Sequence, residues 1–196
     1  DLDDGKSWRA RPNRELDATN DKALMDLRSK QCPPGYWPVF KGESFDIWTP
    51  DTGTYYAWAN PRKVMAHLQE KRERSGRQGR SAFSEFPETW LRDPKTLPCL
   101  RPRIAFRDVT RATDTRTVRA ALIPGEVFLT HKAPYFLRPR GDEKDEAYLL
   151  GVLCSIPLDW YSRRFVELAM TFNIVNAFPV PRPGRDDPLW QRTVQL

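Results

Sequence analysis

At 196 residues, with 39% hydrophobic and 30% charged side chains and seven tryptophans, the chain has the content of a folded domain and excludes wholesale disorder. Its formal net charge of +6 and pI near 9.4 favour a polyanionic partner. No apolar run approaches the roughly 20 residues needed to cross a bilayer, so no membrane partner is expected. Cys32, Cys99 and Cys154 are odd in number and far apart, with no CxxC or His-rich spacing, which gives no basis for a disulfide framework or a zinc site. A reduced, cytoplasmic compartment is expected.

The first 20 residues are polar and read as irregular. Asp21 to Lys30 carries apolar residues at 23, 24 and 27, a short helical stripe. Tyr36–Phe40, Phe45–Trp48 and Thr54–Trp58 read as aromatic strands separated by turns at 41–44 and 50–53. Asn60 as cap and Pro61 at the first position predict a helix to Arg74, with Val64, Met65 and Leu68 on one face. Leu97–Pro102 is a proline-bounded connector. Strands are predicted at 103–109 and within 126–137, a charged loop at 141–146, and helices at 147–155 and 158–170. Phe172–Val180 reads as extended, and a last helix begins at Asp187–Pro188. The mixture predicts an α+β fold with a mixed or antiparallel sheet of short strands flanked by helices.

The chemistry of the sequence is concentrated in Arg101–Pro124, which holds Arg101, Arg103, Arg107, Arg111, Arg116 and Arg119 but no lysine. A guanidinium donates two parallel hydrogen bonds, which suits phosphates and base edges. The block reads as a DNA-facing surface, or as an ordinary salt-bridged face partly neutralised by Asp108 and Asp114. A second basic run, Lys71, Arg72, Arg74, Arg77 and Arg80, reads as a loop that touches phosphates without reading sequence, or as a solvated loop. Most of the aromatic residues at 36–58 are expected in a core rather than stacked on bases.

Catalytic signals are sparse. His67 and His131 lack an evident nucleophile partner, and no phosphate-cradling glycine motif is present. Asp142-Glu143-Lys144 fits the Asp-x-Lys half of a nuclease metal site only superficially. The carboxylates at Asp1, Asp3 and Asp4, and at Asp142, Glu143, Asp145 and Glu146, read as solvated faces.

Taken in order, four segments carry a resemblance: Tyr36–Glu43 (YWPVFKGE), Arg103–Arg119 (RIAFRDVTRATDTRTVR), Tyr148–Ser155 (YLLGVLCS), and Asp159–Phe165 with Phe172–Pro181. Together they resemble the target-recognition region of large bacterial adenine-N6 DNA methyltransferases of restriction-modification and phage-defence systems. Cys154 stands where asparagine is usual. The methyltransferase's own [N/D]PP[Y/F] and S-adenosylmethionine motifs are absent.

The resemblance implies a non-catalytic DNA-binding domain over 36–186, preceded by a linker or tail (1–35) and followed by the start of a truncated helix (187–196). It implies double-stranded DNA and a methyltransferase catalytic domain of the same chain as partners. No cofactor is expected in this segment, S-adenosylmethionine being held by the parent protein. The contact residues it implies are Lys41, Arg103, Arg107, Arg111, Thr115, Arg116, Arg119, Lys132, Arg163 and Arg164, with Thr113 and Thr117 as further hydrogen-bond donors to phosphate. A protein-interaction domain of a defence complex is the other reading, with the aromatics as anchors and the arginines paired to acidic surfaces.

Overall fold

A computed structural model describes residues 2–6 and 8–195; Asp1 of the first acidic cluster lies outside them. Among the described residues, eight short strands form two four-stranded sheets. The first has the order β1-β8-β5-β6 and is antiparallel: β1 is Arg9–Asn13, β5 Arg103–Phe106, β6 Ala120–Ile123 and β8 Tyr135–Arg140. The second has the order β2-β4-β3-β7, with β2 Met25–Asp26, β3 Trp37–Phe40, β4 Ala57–Ala59 and β7 Phe128–Leu129. It is mixed, because β3 runs parallel to β7. The α+β class predicted from sequence is the class observed.

Strand alternation sorts the apolar side chains into three layers of core. Ile104, Phe106 and Phe136 face helices α3 (Glu143–Leu153), α4 (Ile156–Ser162) and α5 (Phe172–Asn176), in one cluster with Leu149, Leu153, Leu158 and Val175. Their neighbours Ala105, Tyr135 and Leu137 face the other way and meet Phe40 and Leu129 from the second sheet, with Phe45 from the turn that follows β3. Val39 and Phe128, one residue out of register with those, face helix α1 (Pro61–Gly76) through Val64 and Leu68, and the short α2 (Glu88–Arg92) packs against α1. The result is a stack of helices, sheet, sheet and helix.

Local signals hold where caps were legible. Asn60 accepts from the Lys63 N–H at the start of α1, and Asp187 from the Leu189 N–H at the start of α6 (Pro188–Thr193). Helix α3 begins earlier than expected, inside the stretch read as a charged loop. Asp142 caps it, accepting from Lys144 and Asp145, while Asp145 accepts from the Asp142 N–H.

Other segments depart from the reading. Residues 9–13 are a strand, not irregular chain: Ala10 and Pro12 are buried in alternation with Arg9, Arg11 and Asn13. Residues 22–24 are one 3-10 turn leading into β2, not a helix. The predicted strand at 45–48 is a tight turn, with Asp46 and Thr49 exchanging both backbone bonds (2.8 and 2.9 Å) and Trp48 at φ 59°. β6 falls inside the arginine block, where no strand was expected. Helix α4 stops at Ser162 rather than 170, because the following chain runs beside the end of β5: the Met170 N–H donates to the Asp108 carbonyl at 2.7 Å. Phe172–Asn176 is helical rather than extended, capped by Thr171.

Among the described residues, no helix is long and apolar enough to cross a membrane, and no three His, Cys, Asp or Glu side chains come together as metal ligands would. Asp142, half of the superficial nuclease motif, is occupied as a helix cap and bridges to Arg185 at 2.7 Å.

Candidate nucleic-acid interface

Residues 107–119 form the long connection between β5 and β6, and its own arginines tie it down. Arg107 turns inward: Nε donates to the Gly42 carbonyl at 2.7 Å and Nη2 to the Phe45 carbonyl at 3.0 Å. Its stem occupies the space a side chain at residue 42 would need, since a Cβ there would lie 2.9 Å from Arg107 Cγ. Burial lowers the Arg107 pKa, as does the neighbouring Arg119, against the pull of Asp46. Arg119 donates to Asp46 Oδ2 at 2.6 Å and to the Arg116 carbonyl at 3.1 Å. Arg116 reaches the Cys154 carbonyl at 2.6 Å, beyond the end of α3.

The centre of this bracing is Asp159, 4% exposed. Its Oδ1 accepts from the Thr117 and Val118 N–H groups at 2.7 and 2.9 Å, and its Oδ2 from Arg163 Nε at 3.0 Å. Burial pushes this carboxyl up, but the hydrogen bonds from Val118, Arg163 and Thr117, with Arg116 nearby, outweigh it and hold the pKa below the usual value. Arg163 also donates to the carbonyls of Ala112, Asp114 and Thr115 at 2.7–2.9 Å, so the end of α4 is sewn to the loop. Thr117 is buried and spends its hydroxyl on the Arg111 carbonyl at 3.0 Å.

The surface role expected of Arg103 does not hold. It is 3% exposed, lies between the two sheets, and pairs with the equally buried Glu15 at 2.8 Å over the ring of Tyr135. Burial raises the Glu15 carboxyl, with Arg103 and the Leu129 N–H pulling the other way. Arg72 of the second basic run is also withdrawn, 1% exposed, stacked on Trp90 and bonded to Thr96, Gln69 and the Asp93 carbonyl.

What remains at the surface is smaller than the expected set. Arg111, Thr113 and Thr115 are exposed on the braced loop, and the Arg111 guanidinium has no partner among the described residues. Lys132 is exposed, 3.5 Å from the buried Asp108. Lys41 is half-buried, 3.7 Å from Glu43. Arg164 is exposed and stacks on Trp160, 4.4 Å from the ring centroid.

Sequence reasoning missed Arg14, in the segment read as a linker. It donates to Asp108 Oδ1 at 3.2 Å, the carboxylate oxygen that Lys132 does not contact, and lies over Phe172. The acidic anchors Asp46 and Asp159 were missed too. The surplus of arginine over acid in the block was a signal that anchors had to lie elsewhere, but nothing in the sequence named them.

No protein-family model matches this chain, and no curated protein matches it. Among solved structures it is similar to the crystal structure of the type IIG restriction endonuclease BpuSI, at a TM-score of 0.52 and 13% identity. The alignment covers 95% of this chain and 25% of that one, so the chain spans about a quarter of the length of that enzyme. At this identity the likeness is one of fold.

Proposed function

We propose that this chain is a DNA-binding target-recognition lobe of a bacterial adenine-N6 methyltransferase of the restriction-modification or phage-defence kind, and that it performs no chemistry itself. The observation that carries the reading is the β5–β6 loop: an arginine-rich segment whose inward arginines hold its backbone rigid while Arg111, Thr113 and Thr115 stay free at its surface. A preorganised loop with a free guanidinium binds a polyanion without first paying the entropy of ordering. The fold shared with a quarter of a type IIG enzyme, and the block order resembling recognition regions, support it.

In this reading Arg111, Lys132, Lys41 and Arg164, with Arg14, approach the duplex; Arg107, Arg116, Arg119 and Arg163 shape the surface. A methyltransferase domain of the same protein would hold S-adenosylmethionine and extrude the adenine, since that chemistry needs the base out of the stack.

The test is fluorescence anisotropy with a randomised duplex across salt, with sequencing of the bound fraction. Salt-dependent binding and an enriched motif are expected. Absence of binding at low salt overturns the reading.

One feature favours protein interaction instead. An open apolar groove of about 750 Å³ runs between α3, α4 and α6, with Ile156, Trp160 and Leu189 exposed along it. Grooves of this kind mark interfaces. If the DNA test fails, loss of a pulled-down partner on Trp160→Ser would establish that reading.

A further inference from the structure

A second concavity lies apart from the loop surface. It has a volume of about 590 Å³, within the range of small-molecule sites, and is lined among others by Trp48, Arg101, Leu122, Arg138, Glu146 and Leu150. Three features set it apart from a packing defect.

The first is Trp48. It sits on a two-residue turn at φ 59°, a conformation that bulky side chains rarely adopt, and it is 57% exposed. Arg119 holds that turn through Asp46 at 2.6 Å, which anchors the backbone that presents Trp48 at the cavity wall. Strained backbone of this kind concentrates at ligand clamps. The second is Arg101, an exposed guanidinium with no partner among the described residues, at the cavity's edge. The third is the Arg138–Glu146 pair in the wall, 3.2 Å apart, in which the buried Arg138 Nε has no well-aligned hydrogen-bond acceptor.

We infer that this cavity is a receiving site for a nucleobase, the ring stacking on Trp48, its amino edge meeting Glu146, and its phosphate meeting Arg101. Tryptophan offers the broadest stacking face of any side chain, and base–aromatic stacking tolerates any base. A carboxylate accepts from the exocyclic amino group of adenine or cytosine. Burial raises the Glu146 carboxyl while the neighbouring Arg138 opposes the shift, and the Arg138 ion pair at 3.2 Å holds it in place as an acceptor. Leu122, 47% exposed, and Leu150 supply the apolar floor. The base can come from a free nucleotide or from a nucleotide turned out of DNA; the recognition chemistry is the same. The site therefore does not rest on the DNA-binding reading.

The experiment titrates the chain with deoxyadenosine monophosphate and, in parallel, with deoxyribose 5-phosphate, following tryptophan fluorescence and ligand NMR. Saturable binding of the nucleotide but not of the sugar phosphate is expected. Trp48→Gly removes the ring at a position where glycine is at ease, so the melting temperature should not fall while affinity drops roughly 5- to 150-fold, the range seen when a stacking aromatic is removed. Arg101→Ala should weaken the nucleotide without changing folding.

Competition by a duplex carrying one unpaired adenine assigns the base to DNA. Binding of duplex elsewhere without competition assigns the site to a free nucleotide. Absence of saturable nucleotide binding, or equal affinity in Trp48→Gly, overturns the inference whether or not the chain binds duplex DNA.

Discussion

Arg163 Nη2 donates to the carbonyl oxygen of Thr115 at 2.8 Å, joining the end of α4 to a loop 48 residues earlier in the chain. The same guanidinium holds Ala112 and Asp114, and its Nε binds Asp159. One side chain thus satisfies three carbonyls of an irregular segment that has no ladder of its own to satisfy them. Arginine is suited to this because its five donors lie in a fixed plane, whereas lysine offers a single point charge. Arg163→Lys is accordingly expected to cost about 1.5–3 kcal/mol, the scale of charged hydrogen bonds, measurable as a lower urea midpoint at constant m-value. A change below ~0.5 kcal/mol would show that the loop stands without it.

Arg103 and Arg111 belong to one sequence block and separate cleanly in the fold. Arg103 is enclosed with Glu15 between the sheets, and removing one member of a buried pair leaves the other charge unsatisfied. Arg103→Met should destabilise by about 3–5 kcal/mol. The double variant with Glu15→Gln should recover part of that loss. Additive losses in the double variant would show that the two groups act independently.

Arg111 and Lys132 should behave in the opposite way. Each is exposed, so Arg111→Ala and Lys132→Ala should leave the melting temperature within about 1–2 °C, a surface change being worth ~0.5 kcal/mol or less. If they contact phosphates, each loss reduces the salt slope of DNA binding by about one unit. An unchanged slope for both would remove this face from the interface.

How far the sequence could be read depended on whether the partner was local. Asn60–Pro61 and Asp187–Pro188 were legible because a cap and the amide it binds lie within three residues. The exposed arginines could not be told from the bracing ones. Arg107, Arg116 and Arg163 find their carbonyl acceptors 38 to 65 residues away, and a carbonyl is a group that every residue possesses and no composition reveals. β1 did carry a period of two, but its buried members are Ala10 and Pro12, small residues that read as polar-segment filler among arginines. The end of α4 at Ser162 is a tertiary decision: 168–170 is claimed by hydrogen bonds to 108–110. The Trp48 turn was hidden for the same reason, since the residue that anchors it, Arg119, lies 73 positions beyond Asp46.

Asp159 makes the acid stability of the loop predictable. Its carboxyl titrates below its ordinary value of 3.8, because the Val118, Arg163 and Thr117 hydrogen bonds outweigh the burial that opposes them. A carboxyl depressed in the folded state binds its proton more tightly when unfolded. Its contribution is therefore complete above pH ~4 and is lost as the pH falls through the lower, folded value. Asp159→Asn keeps the shape and one acceptor oxygen but removes the charge facing Arg116 and Arg163. The variant should be less stable at neutral pH and should lose less stability than the parent between pH 4 and the acid limb, so the two unfolding curves converge toward low pH. Parallel curves across that range would mean that Arg163 is held by the three loop carbonyls alone, and that the carboxylate positions the Thr117 and Val118 amides without its charge contributing to the fold.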